Sequence, residues 1–134
     1  MLPSGLPEIV ADAEALSRFL TQSSQYNAVM AKPSAFLPNP HYRNTSVFRF
    51  GADSERVRET WNATAAEGRT LKGVAVFTAV GARAAQLEVT AEEPPPAHAN
   101  IDGWPWHPSD PELQKAQQKE RAADLASRTK VFLF

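Results

Sequence analysis

The run from Val74 to Val80 limits the possible folds of this chain most strongly, because it is rich in valine and almost entirely apolar. A strand that is apolar throughout has both of its faces covered by other parts of the protein. The run therefore predicts a central strand over about residues 71–80. The chain has 134 residues, which is enough to bury such a strand in a single domain, residues 1–134, without disulfide bonds or a structural metal.

Alternating apolar and polar residues predict two further strands, one over Ser46–Phe50 and one over residues 86–90. A turn at Gly81–Arg83 would join the strand at 71–80 to the strand at 86–90, so we expect these two to pair as a hairpin. The segment Val131–Phe134 is either a final strand of the sheet or an exposed apolar tail that awaits a partner. We favour the strand.

Apolar residues at helical spacing, together with capping residues, predict three helices at about residues 8–22, 54–66 and 111–127. The first follows Pro7, and the second follows Asp53 or Ser54 as its cap. Ser109 and Glu112 have the spacing of a capping box for the third.

Between these elements the sequence leaves two long segments that are rich in proline, serine and asparagine, residues 23–45 and 92–109, which we expect to be loops. The pattern as a whole predicts an α+β domain. We expect a mainly antiparallel sheet of three to five strands, with two or three helices packed on one face and the two long loops at one edge.

Composition excludes several classes of function. The chain contains no cysteine, so thiolate nucleophiles, iron–sulfur clusters and cysteine-based zinc sites are ruled out. A net charge of −1 argues against wholesale electrostatic binding of nucleic acid. No apolar run approaches the ~18 residues of a membrane span, and the N-terminal residues do not resemble a signal peptide. We therefore expect a soluble cytoplasmic protein with no membrane partner.

Motifs of high specificity are also missing from the sequence, including phosphate-binding loops, dinucleotide fingerprints and the zinc protease motif. The three histidines, His41, His98 and His107, lie far apart and do not have the spacing of metal ligands on a helix. We expect neither a cofactor nor a bound metal.

The segment after Pro94–Pro96 is the first candidate site. Three consecutive prolines form a stiff arm that can hold His98 and Asn100 in place. His98 would then serve as a general acid or base, Asn100 would orient it, and Trp104 would stack on a ring of the ligand. The alternative is structural: His98 and Asn100 fasten the loop by hydrogen bonds, and Trp104 packs against the core.

A second candidate site follows from positive charge. In an extended chain Arg43 and Arg49 lie on a common side, where their guanidinium groups could bind a phosphate or carboxylate with help from Lys32. The alternative is that Arg49 pairs with an acidic residue such as Glu88, while Arg43 reaches into solvent.

Five stretches of the chain, Leu16–Phe19, Lys32–Phe36, Ser46–Arg49, Leu71–Gly73 and Pro95–Pro105, resemble a group of small prokaryotic and phage proteins without an assigned activity. The resemblance implies a bacterial, archaeal or phage origin and says nothing about mechanism.

Two functions are compatible with these residues. The first is an interaction or accessory protein, of the immunity, antitoxin-like or defence-related kind, that binds a protein partner through the loop of Trp104 and Trp106 and the Val131–Phe134 segment. The second is an enzyme or sensor that acts on a phosphate-bearing nucleotide or an RNA end. His98 would then transfer a proton and the arginines would hold the anion. The oligomeric state is not predicted.

Overall fold

The computed structural model describes residues 1–65 and 67–134. Most of the valine-rich run lies in strand β3 (Gly73–Thr78), which is shorter than the predicted 71–80, because Ala79 and Val80 begin a helix. The described residues contain six strands, all in one antiparallel sheet: β1 (Ala15–Leu20), β2 (Thr45–Phe48), β3 (Gly73–Thr78), β4 (Glu88–Ala91), β5 (His98–Asp102) and β6 (Lys130–Leu133). The spatial order is β4-β5-β2-β1-β3-β6. Thus β3 lies inside the sheet between β1 and β6, and the fold is α+β with one strand more than expected.

Three α-helices accompany the sheet: α1 (Ser54–Thr64), α2 (Ala79–Ala84) and α3 (Pro111–Ala126). Two short 3-10 helices, Ser23–Gln25 and Pro33–Ala35, lie in the segment between β1 and β2. The prediction for α3 is confirmed to within one residue. The prediction for α1 is confirmed over Ser54–Thr64, and its last residue, 66, lies outside the described residues. Asp53 caps α1, and Asp110, rather than Ser109, caps α3 by accepting from the Leu113 amide.

The prediction of helices on one face is wrong, because helices pack on both faces of the sheet. The main core lies on one face, where Leu125 of α3 and Phe36 after the second 3-10 helix meet Leu16 and Phe77. On the opposite face α1 buries Val57 and sets Trp61 edge-on to Phe19. The sheet is therefore a middle layer, covered incompletely on the α1 side.

The predicted helix at 8–22 is wrong, because this segment contributes strand β1. The strand pairs residue by residue with β3, from Ala15 opposite Thr78 to Leu20 opposite Gly73. Ile9, whose spacing supported the helix, is 80% exposed. Pairing with a buried valine-rich strand outweighs a weak local helical pattern.

The predicted hairpin between 71–80 and 86–90 is also wrong. Thr78 ends β3 and caps α2, since its hydroxyl accepts from the Gly81 amide. The helix separates β4 from β3, and β4 pairs with β5 at the far edge of the sheet.

The predicted loop at 92–109 contains strand β5, which pairs with β2 on one side and with β4 on the other. The C-terminal segment forms β6, paired antiparallel with β3, which confirms the strand rather than the free tail.

A mostly buried ion pair fastens the N-terminal segment to the end of β2. Arg49 Nε and Nη2 donate to the two carboxylate oxygens of Glu14 at 2.5 and 2.9 Å, and Nη1 donates to the Pro7 carbonyl at 2.7 Å. The Arg49 side chain is 1% exposed and that of Glu14 is 22% exposed. Two parallel hydrogen bonds fix both the distance and the orientation of these groups.

Arg49→Met is expected to lower the free energy of unfolding by about 3–5 kcal/mol, because it leaves the Glu14 carboxylate mostly buried without a charged partner. Urea denaturation measures the loss. The matched control is Arg128→Met, which breaks an exposed pair with Asp124 in which both side chains are 43% exposed. This control should cost about 0.5 kcal/mol or less. Equal losses in the two variants would contradict the anchoring role of Arg49.

Candidate functional site

The side chains of His98 and Ser46 meet on the α1 face of the sheet. His98 Nδ1 lies 2.8 Å from the Glu92 carbonyl oxygen, and Nε2 lies 2.5 Å from Ser46 Oγ. A carbonyl oxygen can only accept, so Nδ1 carries the proton and Nε2 of the neutral imidazole accepts from the serine hydroxyl. This is the arrangement of a general base beside a nucleophile.

The antiparallel register of β2 and β5 creates this contact. Phe48 lies opposite His98, and Ser46 lies opposite Asn100. Side chains two residues apart on a strand share a face, so all four project on the α1 face and Ser46 reaches His98 along the diagonal. Ser46 is exposed, whereas His98 is 8% exposed and edge-on to the Phe48 ring. The base is therefore held by packing and the hydroxyl is open to a ligand.

A cavity of about 380 Å³ opens beside the pair. We call it the aromatic cavity. It is lined by Phe19, Ser46, Phe48, Trp61, Thr64, Ala65, Arg69, Pro95 and His98. The rings of Phe19 and Phe48 stack at 5.0 Å, and the Arg69 guanidinium lies 5.8 Å from the Trp61 ring centroid. The cavity therefore combines apolar ring surfaces with one positively charged side chain, Arg69, whose Nη2 also donates to Thr21 Oγ1 at 3.3 Å.

Arg18 supplies a second positive charge close to Ser46. Strands β1 and β2 pair only where Ser17 faces Phe48. The Arg18 side chain bridges the gap beyond this pair: Nε donates to the Ala35 carbonyl at 2.7 Å, and Nη1 donates to the Ser46 carbonyl at 2.8 Å. Arg18 thus supplies a hydrogen-bond donor to the Ser46 carbonyl, which has no backbone donor from β1 because the two strands have separated at this point.

The two guanidinium groups influence each other. Burial, together with the positive charge of Arg69, lowers the pKa of Arg18 from 12.5 to about 10. The Arg18 side chain remains charged at neutral pH. Within the described residues, no carboxylate lies within 4.0 Å of either group. Two like charges close together without an acidic partner produce a field that attracts an anion.

Of the residues predicted from the sequence, His98 lines the aromatic cavity, whereas Asn100 does not, and the group that holds His98 Nδ1 is the Glu92 carbonyl rather than Asn100. Asn100 is 4% exposed and occupies the position across from Ser46 in β2 and from Thr90 in β4. The structure thus brings the predicted base and its predicted neighbour to one face of the sheet, within a strand rather than in a loop.

The other predicted residues lie elsewhere. The Arg49 guanidinium is paired with Glu14, whereas the expected partner Glu88 bonds to Arg83. Arg43 stacks over Trp106 at 4.2 Å, and Lys32 is an exposed residue before the second 3-10 helix. Trp104 is 7% exposed and donates from Nε1 to the Ile101 carbonyl. Trp104 thus packs as an anchor, which is the structural alternative for that residue.

Sequence reasoning missed Ser46, Arg18, Arg69 and Trp61 as members of the site. The alternation in 46–50 did place Ser46 on one face with Phe48, but the partner strand is not encoded locally. A helix at 8–22 gives no reason to relate Arg18 to β2. Trp61 and Arg69 carry no local pattern that distinguishes them from ordinary residues of a surface helix and the turn after it.

The described residues contain no cluster of three or more histidine, aspartate or glutamate side chains that could hold a metal ion. Over residues 1–65 and 67–134, no helix has the length and the apolar character needed to cross a membrane.

Comparison with known proteins gave no relative. No protein-family model matches the chain, and searches of curated proteins and of solved structures found no significant match.

An acidic edge borders the site on β4 and β5. Asp102 lies opposite Glu88, with Thr90 and Glu92 nearby. Desolvation raises the pKa of Asp102, a hydrogen bond with Thr90 opposes the rise, and the charges of Glu92 and Glu88 add to it. Glu88 behaves oppositely: hydrogen bonds from the Val89 amide and from Arg83 lower its pKa.

Asp102→Asn is expected to stabilise the protein at pH 7, because a carboxyl group with a raised pKa in the folded state costs more to ionise there than in the unfolded chain. The increase in the free energy of unfolding is complete above the folded-state pKa of Asp102. It vanishes as the pH falls below the pKa of Asp102 in the unfolded chain, near 3.8. Glu88→Gln should show the opposite sign, a loss at pH 7 that disappears as the pH falls through the lowered folded-state pKa. Denaturation at pH 7 and pH 3 measures both. Changes of the same sign at pH 7 would contradict the assignment.

Proposed function

We propose that this protein is a hydrolase for phosphate esters in which Ser46 is the nucleophile and His98 is the general base. One observation carries the proposal: an exposed serine hydroxyl donates to Nε2 of an imidazole whose other nitrogen is held by a backbone carbonyl. A nucleophile, a base and a group that orients the base form the recurring pattern of nucleophilic catalysis.

The reaction would proceed in two steps. In the first, Ser46 Oγ forms a bond to phosphorus while His98 Nε2 takes the hydroxyl proton, and the bond from phosphorus to the leaving alcohol breaks. The leaving oxygen lies opposite Ser46 Oγ across phosphorus and takes its proton from solvent water, which leaves a hydroxide ion. In the second, a water molecule attacks the phosphoserine from that far side and gives a proton to the hydroxide, while the imidazolium returns its proton to Ser46 Oγ as the bond from phosphorus to Oγ breaks. The enzyme is regenerated and each proton is accounted for.

Positive charge supports a phosphate rather than a neutral acyl group as the target. Arg69 lines the cavity that contains the hydroxyl, and Arg18 contacts the carbonyl of the same residue. Guanidinium groups stabilise charge on the equatorial oxygens of a phosphoryl group in transfer. The ring surfaces of Phe19, Phe48 and Trp61 suit an aromatic substituent of the ester, such as a nucleobase.

Ser46→Ala and His98→Asn are each expected to reduce hydrolysis of p-nitrophenyl phosphate esters by about 10²–10⁴-fold. The double variant should lose little more than either single variant, because the two groups act as a unit. Release of p-nitrophenol measures the rate. Ser46→Ala should lower the melting temperature only slightly, because Ser46 is an exposed residue and the change removes a single side-chain hydrogen bond.

Ser23→Ala is the matched control, since Ser23 is also exposed but lies outside the cavity, and it should keep full activity. Full activity in Ser46→Ala would rule out the nucleophile. If p-nitrophenyl acetate were cleaved by the same pair and phosphate esters were not, the site would be an esterase and the phosphate assignment would be wrong.

Binding of a protein partner is the second candidate function. The observation that favours it is an apolar patch at the β6 edge, where Phe132, Leu133 and Phe134 are 42%, 55% and 40% exposed. Exposed apolar side chains on an edge strand are suited to pairing with another chain. Trp104 does not belong to this surface, because its ring is buried.

Leu133→Lys should release such a partner without unfolding the domain, because Leu133 is half exposed. A pull-down from the source organism's lysate measures retention. The control is Leu113→Lys, a similar change on α3 at a position that is 42% exposed. Equal retention by both variants would remove the β6 edge as the binding surface.

A further inference from the structure

A row of four aromatic rings crosses the α1 face of the sheet. Phe50 stacks on Phe48 with the ring centroids 5.3 Å apart, and Phe48 stacks on Phe19 at 5.0 Å. Phe19 meets Trp61 edge-on at 5.8 Å. The two end rings, Phe50 and Trp61, are partly exposed, whereas Phe48 is 6% exposed. The row therefore presents ring surface to solvent at both ends.

A guanidinium group lies at each end of this row. The guanidinium carbon of Arg56 is 4.6 Å from the Phe50 ring centroid, and that of Arg69 is 5.8 Å from the Trp61 ring centroid. These are distances at which a cation is attracted to the face of an aromatic ring. Both arginines are exposed, so each places its charge beside an accessible ring.

Three adjoining cavities follow the row. The aromatic cavity shares Trp61 and Arg69 with a cavity of about 310 Å³. At the other end of the row it shares Thr64 and Pro95 with a cavity of about 320 Å³. The first neighbour is also lined by Arg58 and Phe134, and the second by Phe50 and Arg56. We call the three cavities together the ring groove.

Positive charge predominates along the ring groove. Its described lining includes three arginines, Arg56, Arg58 and Arg69, and one acidic side chain, Glu59. The Arg58 guanidinium lies 4.4 Å from the Phe134 ring centroid, so it forms a third pair of a cation with a ring. Among the described residues, no carboxylate lies within 4.0 Å of these three guanidinium groups. Because the whole chain has a net charge of −1, this positive excess is local to the groove.

We propose that the ring groove binds a single strand of nucleic acid over several nucleotides. Bases would stack on the exposed surfaces of Phe50 and Trp61, and the three arginines would contact phosphates. The bases of a duplex are already stacked and paired, so a duplex could not use the rings. The inference goes beyond the proposed function, because binding does not require Ser46 to react.

Fluorescence anisotropy of a labelled twelve-residue oligothymidylate at low salt tests the ring groove. The wild-type protein should bind this single strand at least about tenfold more tightly than its duplex with oligoadenylate, which is the value of one stacked base. Phe50→Leu keeps an apolar side chain but removes the ring, and it should weaken binding of the single strand about tenfold. The matched control is Tyr42→Leu, because Tyr42 is 69% exposed and lines none of the three cavities. It should leave the affinity unchanged.

The salt dependence of the same binding tests the phosphate contacts. Replacing both Arg56 and Arg69 with alanine should make the slope of log affinity against log salt shallower by about 1.4, since each lost contact with a single strand is worth about 0.7. Both arginines are exposed, so this variant keeps its fold and decides the test if Phe50→Leu does not fold. The matched control replaces Lys115 and Lys119, two exposed residues of α3 on the opposite side of the sheet, with alanine. It should leave the slope unchanged.

Comparison of oligothymidylate with oligouridylate identifies the strand as DNA or RNA, and tighter binding of either one supports the groove. Equal affinity for the single strand and the duplex would overturn it. An unchanged salt slope in the arginine double variant would also overturn it.

The outcomes separate this inference from the proposed function. If the wild-type protein binds the single strand but cleaves no phosphate ester, the ring groove stands and the hydrolase is wrong. If it cleaves phosphate esters but binds no oligonucleotide, the hydrolase stands and the ring groove is wrong.

Discussion

The antiparallel pairing of β2 with β5 positions the catalytic pair proposed for this protein. Fifty-two residues separate Ser46 from His98 in the chain, and only the register with Phe48 opposite His98 brings the hydroxyl to the imidazole. A shift of one residue would turn His98 to the opposite face of the sheet. The pairing continues past β2, where the Arg49 amide donates to the Ala97 carbonyl, and the buried pair of Arg49 with Glu14 holds that end of the strand.

The divergence of β1 from β2 is the second constraint, and it links fold to site. Because the two strands pair at a single position, the Ser46 carbonyl needs another donor, and Arg18 fills that role from a neighbouring strand. A residue that repairs the gap in the sheet thereby brings positive charge to the candidate nucleophile. Arg69, which follows α1, adds the second charge from the other side. The structural role of Arg18 therefore coincides with its proposed functional role, which makes Arg18 a poor position at which to test the mechanism by substitution alone.

Short-range sequence patterns predicted the elements whose ends are set by residues close to them in the chain. The helices α1 and α3 have caps and breakers within a few residues of their ends, and both were found. Strand β1 was not found, because its residues fit a helical stripe until β3 is placed beside them. At the site, His98 was predicted from its proline-rich surroundings, but Ser46 required knowledge of which strands pair. The prediction that Arg43 and Arg49 lie on one side of the chain required an extended backbone between them. Arg43 instead has a φ of +60°, in the left-handed region, so the extended segment does not include it.

The most direct measurement of the proposed nucleophile is covalent labelling with a fluorophosphonate, followed by peptide mass spectrometry. Such a probe reacts with a serine hydroxyl that a neighbouring base activates, and trypsin would release Ser46 in the peptide Asn44–Arg49. The mechanism predicts a single labelled serine, in that peptide, in the wild-type protein and no label in His98→Asn. A wild-type protein without label in Asn44–Arg49, or labelling that persists when His98 is replaced, would contradict the Ser46–His98 pair as a catalytic unit.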